Sequence, residues 1–224
     1  MHYVFSFRYA LVVMIWACFL SFLASCARRP VFFPNPSRFR PGDLVFQRLR
    51  CGDLCEAIAR ATRVLGVPSV SHVGVVERID KNRVMLIEAY DQKVARVDLA
   101  TFLARSRHES PPVIVARLKP PHDAIIPFWL EEIRARLGKP YDVTYLSDND
   151  AYYCSELLSD AMLALGVHIF PRIPMNFGDL GSWERRVWEH YYRNLGMEVP
   201  QGQPGTNPTQ LLASPFVEIV NVYL

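Results

Sequence analysis

The chain has 224 residues, of which 50% are hydrophobic and 21% are charged, and its formal net charge is +3 at pH 7. A balance this close to neutrality does not require a nucleic-acid partner, and we expect none. If the 25-residue leader described next is removed, 199 of the 224 residues remain. That length is enough for one domain with a sizeable core and is marginal for two.

Residues 1–25 have the pattern of a lipoprotein signal peptide. Arg8 precedes an apolar run from Ala10 to Ala24, and this run is shorter than the roughly 20 residues that a membrane span needs. The run ends in Leu23-Ala24-Ser25-Cys26, which resembles the bacterial lipobox. We therefore expect cleavage before Cys26 and lipidation of its thiol, with a plain transmembrane anchor as the alternative.

The segment after the leader predicts where the protein resides. Residues 26–41 are rich in proline and arginine and form a tether, which either contacts anionic headgroups or is a solubilising linker. Residue 27, which follows the lipidated cysteine, is alanine and not aspartate, and this resembles Gram-negative lipoproteins that are sorted to the outer membrane. We expect a lipid-anchored protein of the bacterial cell envelope, at the outer membrane and facing the periplasm or the cell surface.

Two further cysteines, Cys51 and Cys55, are one helical turn apart. Export would allow them to form a disulfide, although that geometry is strained, and the favoured alternative is that both are small buried apolar residues. A C-x-x-x-C pair without a nearby histidine is a poor zinc site. The other histidines show no paired metal spacing, so we expect neither a metal nor a cofactor.

Hydrophobic periodicity and turn residues predict the elements of a single domain over residues 42–224. In chain order we expect strand Asp43–Gln47, helix Cys55–Leu65, strands Ser71–Ile79, Arg83–Tyr90, Lys93–Val97 and Val113–Leu118, and helices Asp123–Leu137, Tyr152–Leu165 and Trp183–Leu195. The segment Pro200–Pro208 is expected to be irregular. Closely spaced strands favour an antiparallel sheet, so the fold class is α+β.

Cys154 is the candidate nucleophile. It lies in the first turn of a predicted helix whose apolar residues recur with the spacing of a buried face, and Asp148, Asn149 and Asp150 are candidate N-caps. A helix N-terminus and a neighbouring imidazole both favour a thiolate, and the Cys154 amide is a candidate oxyanion donor. The alternative is a small apolar residue on a buried face.

His72 and Glu88 are the candidate base and orienting group. If residues 80–82 form a three-residue hairpin loop, Gly74 lies opposite Glu88 and leaves room for its carboxylate. His72 is then a diagonal neighbour of Glu88 on the same face, about 7–8 Å away at Cα. A two-residue loop would turn Glu88 to the opposite face, and an edge-strand glutamate facing water is the alternative role.

These segments together resemble the permuted papain-like amidases of the YaeF/YiiX type, relatives of the NlpC/P60 hydrolases. The resemblance covers residues 42–214 and rests on several short motifs in the family's order. They are Gly42-Asp43-Leu44-Val45-Phe46, Cys51-Gly52-Asp53-Leu54-Cys55, Ser71-His72-Val73-Gly74, Ile87-Glu88-Ala89, Gly138-Lys139-Pro140-Tyr141-Asp142, Tyr153-Cys154-Ser155-Glu156-Leu157, Pro174-Met175-Asn176-Phe177, Leu195-Gly196-Met197-Glu198 and Pro204-Gly205-Thr206-Asn207-Pro208.

The resemblance implies a circularly permuted papain fold, with a small antiparallel sheet packed against helices. It also implies that Cys154 is the nucleophile, His72 the base and Glu88 the orienting residue. Tyr141 matches the family's Pro-Tyr-Asp tyrosine, and it is either a substrate or oxyanion contact or a packed core aromatic whose hydroxyl finds a partner.

The expected function is cleavage of an amide bond in a cell-envelope peptide or acyl-amide substrate by a cysteine hydrolase, through a thioester. The alternatives are an acyltransferase or thioesterase on lipid substrates, and a non-catalytic envelope binding module. We expect a monomer that meets the membrane through the lipidated Cys26.

Overall fold

The computed structural model describes residues 35–81, 83–106 and 113–223. The signal peptide, Cys26 and residues 27–34 of the tether lie outside these ranges, so their predictions stand as made. At the end of the tether, Pro36–Arg38 forms one 3₁₀ turn, which begins after Asn35. Within the described ranges, no helix has the length and apolarity to cross a membrane.

One antiparallel sheet organises the described part of the chain. Its strands are β1 (Leu44–Gln47), β2 (His72–Asp80), β3 (Arg83–Tyr90), β4 (Lys93–Asp98), β5 (Val113–Leu118) and β8 (Val217–Tyr223). They lie in the order β4-β3-β2-β1-β5-β8, and a separate short pair joins β6 (Ile173–Pro174) to β7 (Pro204–Gly205). All the strand pairs are antiparallel, which confirms the predicted α+β class.

Six helices lie along the described chain. They are α1 (Asp53–Ala61), α2 (Leu99–Leu103), α3 (Ile126–Ala135), α4 (Cys154–Ala164), α5 (Trp183–Asn194) and α6 (Pro208–Leu212). One apolar core joins the sheet to α3 and α4, and a second core on the sheet contains Phe102 of α2. Because both faces of the sheet are covered, all four residues of the central strand β1 are buried.

The helix boundaries differ from the predicted ones for local reasons. The predicted helix from Asp123 is a 3₁₀ turn, His122–Ile125, followed by α3. Pro127 lies in the first turn of α3, where its missing N–H costs nothing. Helix α1 ends at Ala61, short of the predicted Leu65, and the Ile58 carbonyl oxygen accepts both the Thr62 N–H at 3.1 Å and the Thr62 hydroxyl at 2.8 Å.

Cys51 and Cys55 are joined by a disulfide in the structure, with their Cα atoms 5.4 Å apart. The favoured interpretation of two unbridged apolar residues was therefore wrong, although Cys55 is buried. The bond spans the start of α1, which begins at Asp53. The Cα separation lies within the ordinary range for disulfides, because Cys51 precedes the helix and is not bound by the spacing of a helical turn.

Candidate active site

Cys154 is the first residue of α4 and only 6% of its surface is exposed. The N-cap is Tyr153, whose backbone N–H donates to the Glu156 carboxylate at 3.4 Å. The expected caps Asp148, Asn149 and Asp150 were wrong, because they belong to the preceding loop. The first N–H groups of a helix have no intrahelical acceptor, so the Cys154 amide is available to a bound oxyanion.

A β-bulge sets the positions of His72 and Glu88. Asp80 pairs with Arg83, so the hairpin loop has two residues rather than the three expected. The register then shifts between Val76 and Arg78, where Glu77 is the extra residue, and Val75 pairs with Ile87. If this register continues by one residue, Gly74 lies opposite Glu88. The bulge thus compensates for the shorter loop and gives the same pairing that a three-residue loop without a bulge would give.

Gly74 makes room for an aromatic ring and not, as expected, for the Glu88 carboxylate. A Cβ atom at Gly74 would lie 3.0 Å from Cε2 of Phe102. The Phe102 ring packs against the imidazole of His72, with ring centroids 5.5 Å apart, and Tyr90 lies at the same distance edge-on. The imidazole is therefore held between two aromatic rings.

The structure brings His72, Glu88 and Cys154 together. His72 Nε2 lies 2.5 Å from Glu88 Oε2, and the Cys154 thiol is near enough to the same imidazole to raise its pKa. With Nε2 engaged by the carboxylate, Nδ1 is the ring nitrogen left for the sulfur. His72 is 2% exposed and Glu88 is 4% exposed, so bulk water does not screen these contacts.

The charges of this cluster reinforce one another. Burial alone would lower the pKa of His72, but the Cys154 thiol and the Glu88 carboxylate outweigh it and raise that pKa to about 9. Burial alone would raise the pKa of Glu88, yet the hydrogen bond from His72 and the charge of Arg105 hold it below its usual value. The pair therefore favours an imidazolium beside a carboxylate, and an imidazolium is the neighbour that a thiolate needs.

Arg105 is a site residue that sequence reasoning missed. Its guanidinium contacts Glu88 Oε1, and it also lies 4.0 Å from the centroid of the Tyr90 ring. Arg105 follows α2 and has no motif of its own, and its sequence distance from Glu88 gives no periodic signal. The available clue was the buried carboxylate, which needs more than one partner to stay ionised.

Cys154 opens onto a cavity of about 60 Å³ with aromatic walls. Tyr141 lines it, and the Tyr141 hydroxyl lies 3.3 Å from the Tyr145 hydroxyl. Burial, followed by the charges of Tyr145 and Cys154, raises the pKa of Tyr141 well above its usual value. Tyr141 is therefore a neutral hydrogen-bond donor at the cavity, and its hydroxyl also has the partner that the packed-aromatic alternative requires.

Thr206 fastens the start of α4 from the C-terminal side of the chain. The Thr206 backbone N–H donates to the Tyr153 hydroxyl at 2.8 Å, and the Thr206 hydroxyl donates to Ser155 Oγ at 3.0 Å. The segment Pro200–Pro208 was expected to be irregular, but it contains strand β7 and leads into α6. The residues on both sides of Cys154 are thus bonded to a distant segment, which fixes the direction of the helix start.

Behind Cys154 lies a group of buried acids. Glu156 is 2% exposed, and burial together with the charges of Asp160 and Asp142 raises its pKa to about 9. Burial also raises the pKa of Asp160, although Arg172 bonds this carboxylate and opposes the shift. Glu156 is therefore neutral at pH 7, so it adds no negative charge beside the thiol.

A thiol at a helix start, an imidazole and a carboxylate, set against an antiparallel sheet, define a papain-like site. In this chain the histidine precedes the cysteine, which is the permuted order. The chain belongs to the permuted papain-like amidase family YaeF/YiiX, C92, whose model matches residues 38–221. The fold class and the family expected from the sequence are thereby confirmed.

A solved structure supports the same fold. The crystal structure of metalloprotein yiiX from Escherichia coli O157:H7 is 22% identical in sequence and superposes with a TM-score of 0.66. The match covers 83% of this chain and 98% of that chain. No curated protein matches the chain.

Proposed function

We propose that this protein is a membrane-anchored cysteine hydrolase that cleaves an amide bond in a cell-envelope peptide or acyl-amide. The observation that carries the proposal is a buried imidazole that is hydrogen-bonded to the Glu88 carboxylate and close to the Cys154 thiol, which lines a cavity. Membership of an amidase family gives the reaction class. A nucleophile, a base and an orienting group are the minimum set for covalent acyl transfer.

In the acylation step, the Cys154 sulfur attacks the carbonyl carbon of the scissile amide while His72 carries the thiol proton. The carbonyl oxygen becomes an oxyanion, which the Cys154 backbone N–H stabilises, with the Tyr141 hydroxyl as a second donor. The imidazolium of His72 then donates its proton to the departing nitrogen. The C–N bond breaks, an amine leaves and a thioester remains on Cys154.

In the deacylation step, water attacks the thioester carbonyl, and neutral His72 accepts one of its protons. The C–S bond breaks, the carboxylic acid leaves and the proton returns to the sulfur. Glu88 stays ionised throughout, holds the imidazole ring in orientation and stabilises its charged form. An acyltransferase would differ only in using another acceptor in place of water.

No step of this proposal uses a metal. The related yiiX is described as a metalloprotein. Within residues 35–81, 83–106 and 113–223 of this chain, no group of three or more His, Cys, Asp or Glu side chains is arranged to hold a metal ion.

The experiment that tests the hydrolase uses the full chain in detergent with two substrate pools, muropeptides and N-acyl amino acids, and mass spectrometry of the products. We expect one new amine and one new acid from a single pool with the wild type, and no products with Cys154→Ala. His72→Ala should also be inactive, whereas His190→Ala, which removes an exposed histidine of α5, should be active. Equal turnover by Cys154→Ala would overturn the proposal, and transfer of the acyl group to an added amine would make the protein an acyltransferase.

The membrane anchor is tested separately. The lipobox-like Leu23-Ala24-Ser25-Cys26 predicts that the wild type incorporates labelled fatty acid and that Cys26→Ala remains a larger, unlipidated precursor. The Cys51–Cys55 disulfide supports an oxidising compartment, because such bonds persist outside the cytosol. Fractionation of Cys26→Ala with membranes at the mature size, together with an unlabelled wild type, would contradict the lipoprotein assignment.

A further inference from the structure

A second cavity, of about 530 Å³, adjoins the cavity of Cys154. Its walls come from residues 61–64 at the end of α1, residues 168–176 after α4, Asn207 and Gln210 at α6, and residues 213–216 between α6 and β8. The mechanism proposed above uses none of these residues. The volume is within the range of pockets that bind small molecules.

Three polar residues, Thr62, Asn176 and Asn207, line both cavities. Their side chains are held by the protein itself. The Asn176 side-chain amide donates to the Ala61 carbonyl oxygen at 3.2 Å, and Asn207 Oδ1 accepts the Gln210 backbone N–H at 2.8 Å. The two cavities therefore share lining residues whose side chains are fixed. A substrate with its scissile carbonyl at Cys154 would extend past these residues into the larger cavity.

The lining of the larger cavity predicts the chemistry of its ligand. It is mostly apolar, with Ile169, Phe170 and Phe216 among its walls. Arg63 contributes a positive charge, and no aspartate or glutamate is among the described residues that line either cavity. Within the described chain Arg63 has no ion-pair partner, whereas Arg60, one turn earlier, pairs with Glu184 at 2.9 Å. A guanidinium beside an apolar wall fits an apolar group with an anionic end.

We propose that the larger cavity binds the part of the substrate remote from the scissile amide, and that it selects an apolar group ending in an anion, which Arg63 binds. This inference rests on the proposed hydrolase, since it names the substrate class of the same site. The apolar body of the substrate lies against the Ile169, Phe170 and Phe216 walls. Arg63, an exposed residue that lines the cavity, binds the anionic end of the substrate.

The test measures binding without turnover, using the full-length Cys154→Ala protein in detergent. Isothermal titration calorimetry compares an acyl amide that ends in a carboxylate with the same compound as its methyl ester. We expect about fivefold tighter binding of the carboxylate, because an exposed ion pair contributes modestly, and a smaller preference at high salt. Adding Arg63→Gln should remove the preference, and adding the control change Arg60→Gln should preserve it.

A second variant tests the cavity itself. Ala213 lines it, so Ala213→Phe should fill space there and weaken binding of both compounds, with thermal melting used to check the fold. Equal binding of the acid and the ester, or a preference that persists without Arg63, would overturn the subsite. If the wild type shows no turnover but still binds the carboxylate more tightly than the ester, the proposed hydrolase activity is wrong and the cavity is a ligand-binding site. The two proposals can therefore fail separately.

Discussion

Arg105 binds the Glu88 oxygen that His72 leaves free. His72 Nε2 lies 2.5 Å from Oε2 of the carboxylate, and the Arg105 guanidinium contacts Oε1. The same guanidinium lies over the ring of Tyr90, two residues further along β3. The carboxylate is thus held from both sides, and the orientation of the imidazole depends on an arginine that does not touch it.

The first prediction is that Arg105→Ala lowers kcat about tenfold or more and leaves KM nearly unchanged, because a displaced imidazole affects the chemical step more than binding. The charge of Arg105 lowers the pKa of Glu88, so its removal should raise that pKa and move the acid limb of the rate profile to higher pH. Arg105→Lys keeps the charge and should recover part of the rate. Steady-state kinetics across pH measure both effects.

The control for this prediction is the double change Arg105→Ala with Glu88→Gln. If Arg105 acts through Glu88, its removal costs little once the carboxylate is absent. A loss of the same size in both backgrounds, or a change confined to KM, would show that Arg105 acts in another way.

The second prediction concerns the alkaline limb. The pKa of His72 is raised to about 9, so its imidazolium persists through neutral pH and loses its proton as pH rises through about 9. The ratio kcat/KM should therefore fall above about pH 9 if the imidazolium donates to the leaving nitrogen. Glu88→Gln removes a contact that raises the His72 pKa, so the falling limb should move to lower pH. An alkaline limb at the same pH in both proteins would contradict the assignment of Glu88.

The third prediction uses non-additivity among Cys154, His72 and Glu88. Cys154→Ala should abolish turnover, whereas Glu88→Gln should retain a measurable remainder, because an orienting residue contributes less than the nucleophile. His72→Ala combined with Glu88→Gln should be little worse than His72→Ala alone. Clean multiplication of the two losses would mean that Glu88 works independently of His72, and the assigned triad would then be wrong.

The sequence predicted which of the candidate residues lie together better than it predicted the hairpin that brings them together. Period-two alternation predicted β2 and β3 almost to the residue, but alternation does not reveal a bulge. Glu77, the extra residue, is charged yet 3% exposed, because Arg96 and Arg134 bond its carboxylate from other elements. In the sequence, the local sign of the bulge was a glutamate within an otherwise apolar strand. The arginines that pair with this glutamate are distant in sequence.

Elements that depend on distant partners were missed for the same reason. Strand β8, Val217–Tyr223, was not predicted, and it forms by pairing with β5. Helix α6 is five residues long, so propensity alone does not specify it, and Asn207 caps it. The cap of α4 was also missed because Tyr153 is not a usual N-cap residue. Its place is set by the bond from its backbone N–H to the Glu156 carboxylate and by the Thr206 N–H, which donates to its hydroxyl.

The last prediction is that Glu156→Gln stabilises the protein at alkaline pH. Glu156 is buried beside Asp160 and Asp142, with Arg172 as the nearby cation, and its pKa is raised from 4.5 to about 9. Between these values the folded protein binds more protons than the unfolded chain, so the free energy of unfolding falls as pH rises from about 4.5 through about 9. Glutamine is neutral at every pH and accepts the same Tyr153 N–H, so it avoids this loss. We expect the free energy of unfolding of the variant, relative to that of the wild type, to be about 1–3 kcal/mol higher at pH 8 than at pH 4.5.

Urea unfolding of both proteins across this pH range measures the difference, with Glu131→Gln on the exposed side of α3 as the matched control. Parallel curves for Glu156→Gln and the wild type would show that Glu156 is ionised in the folded protein.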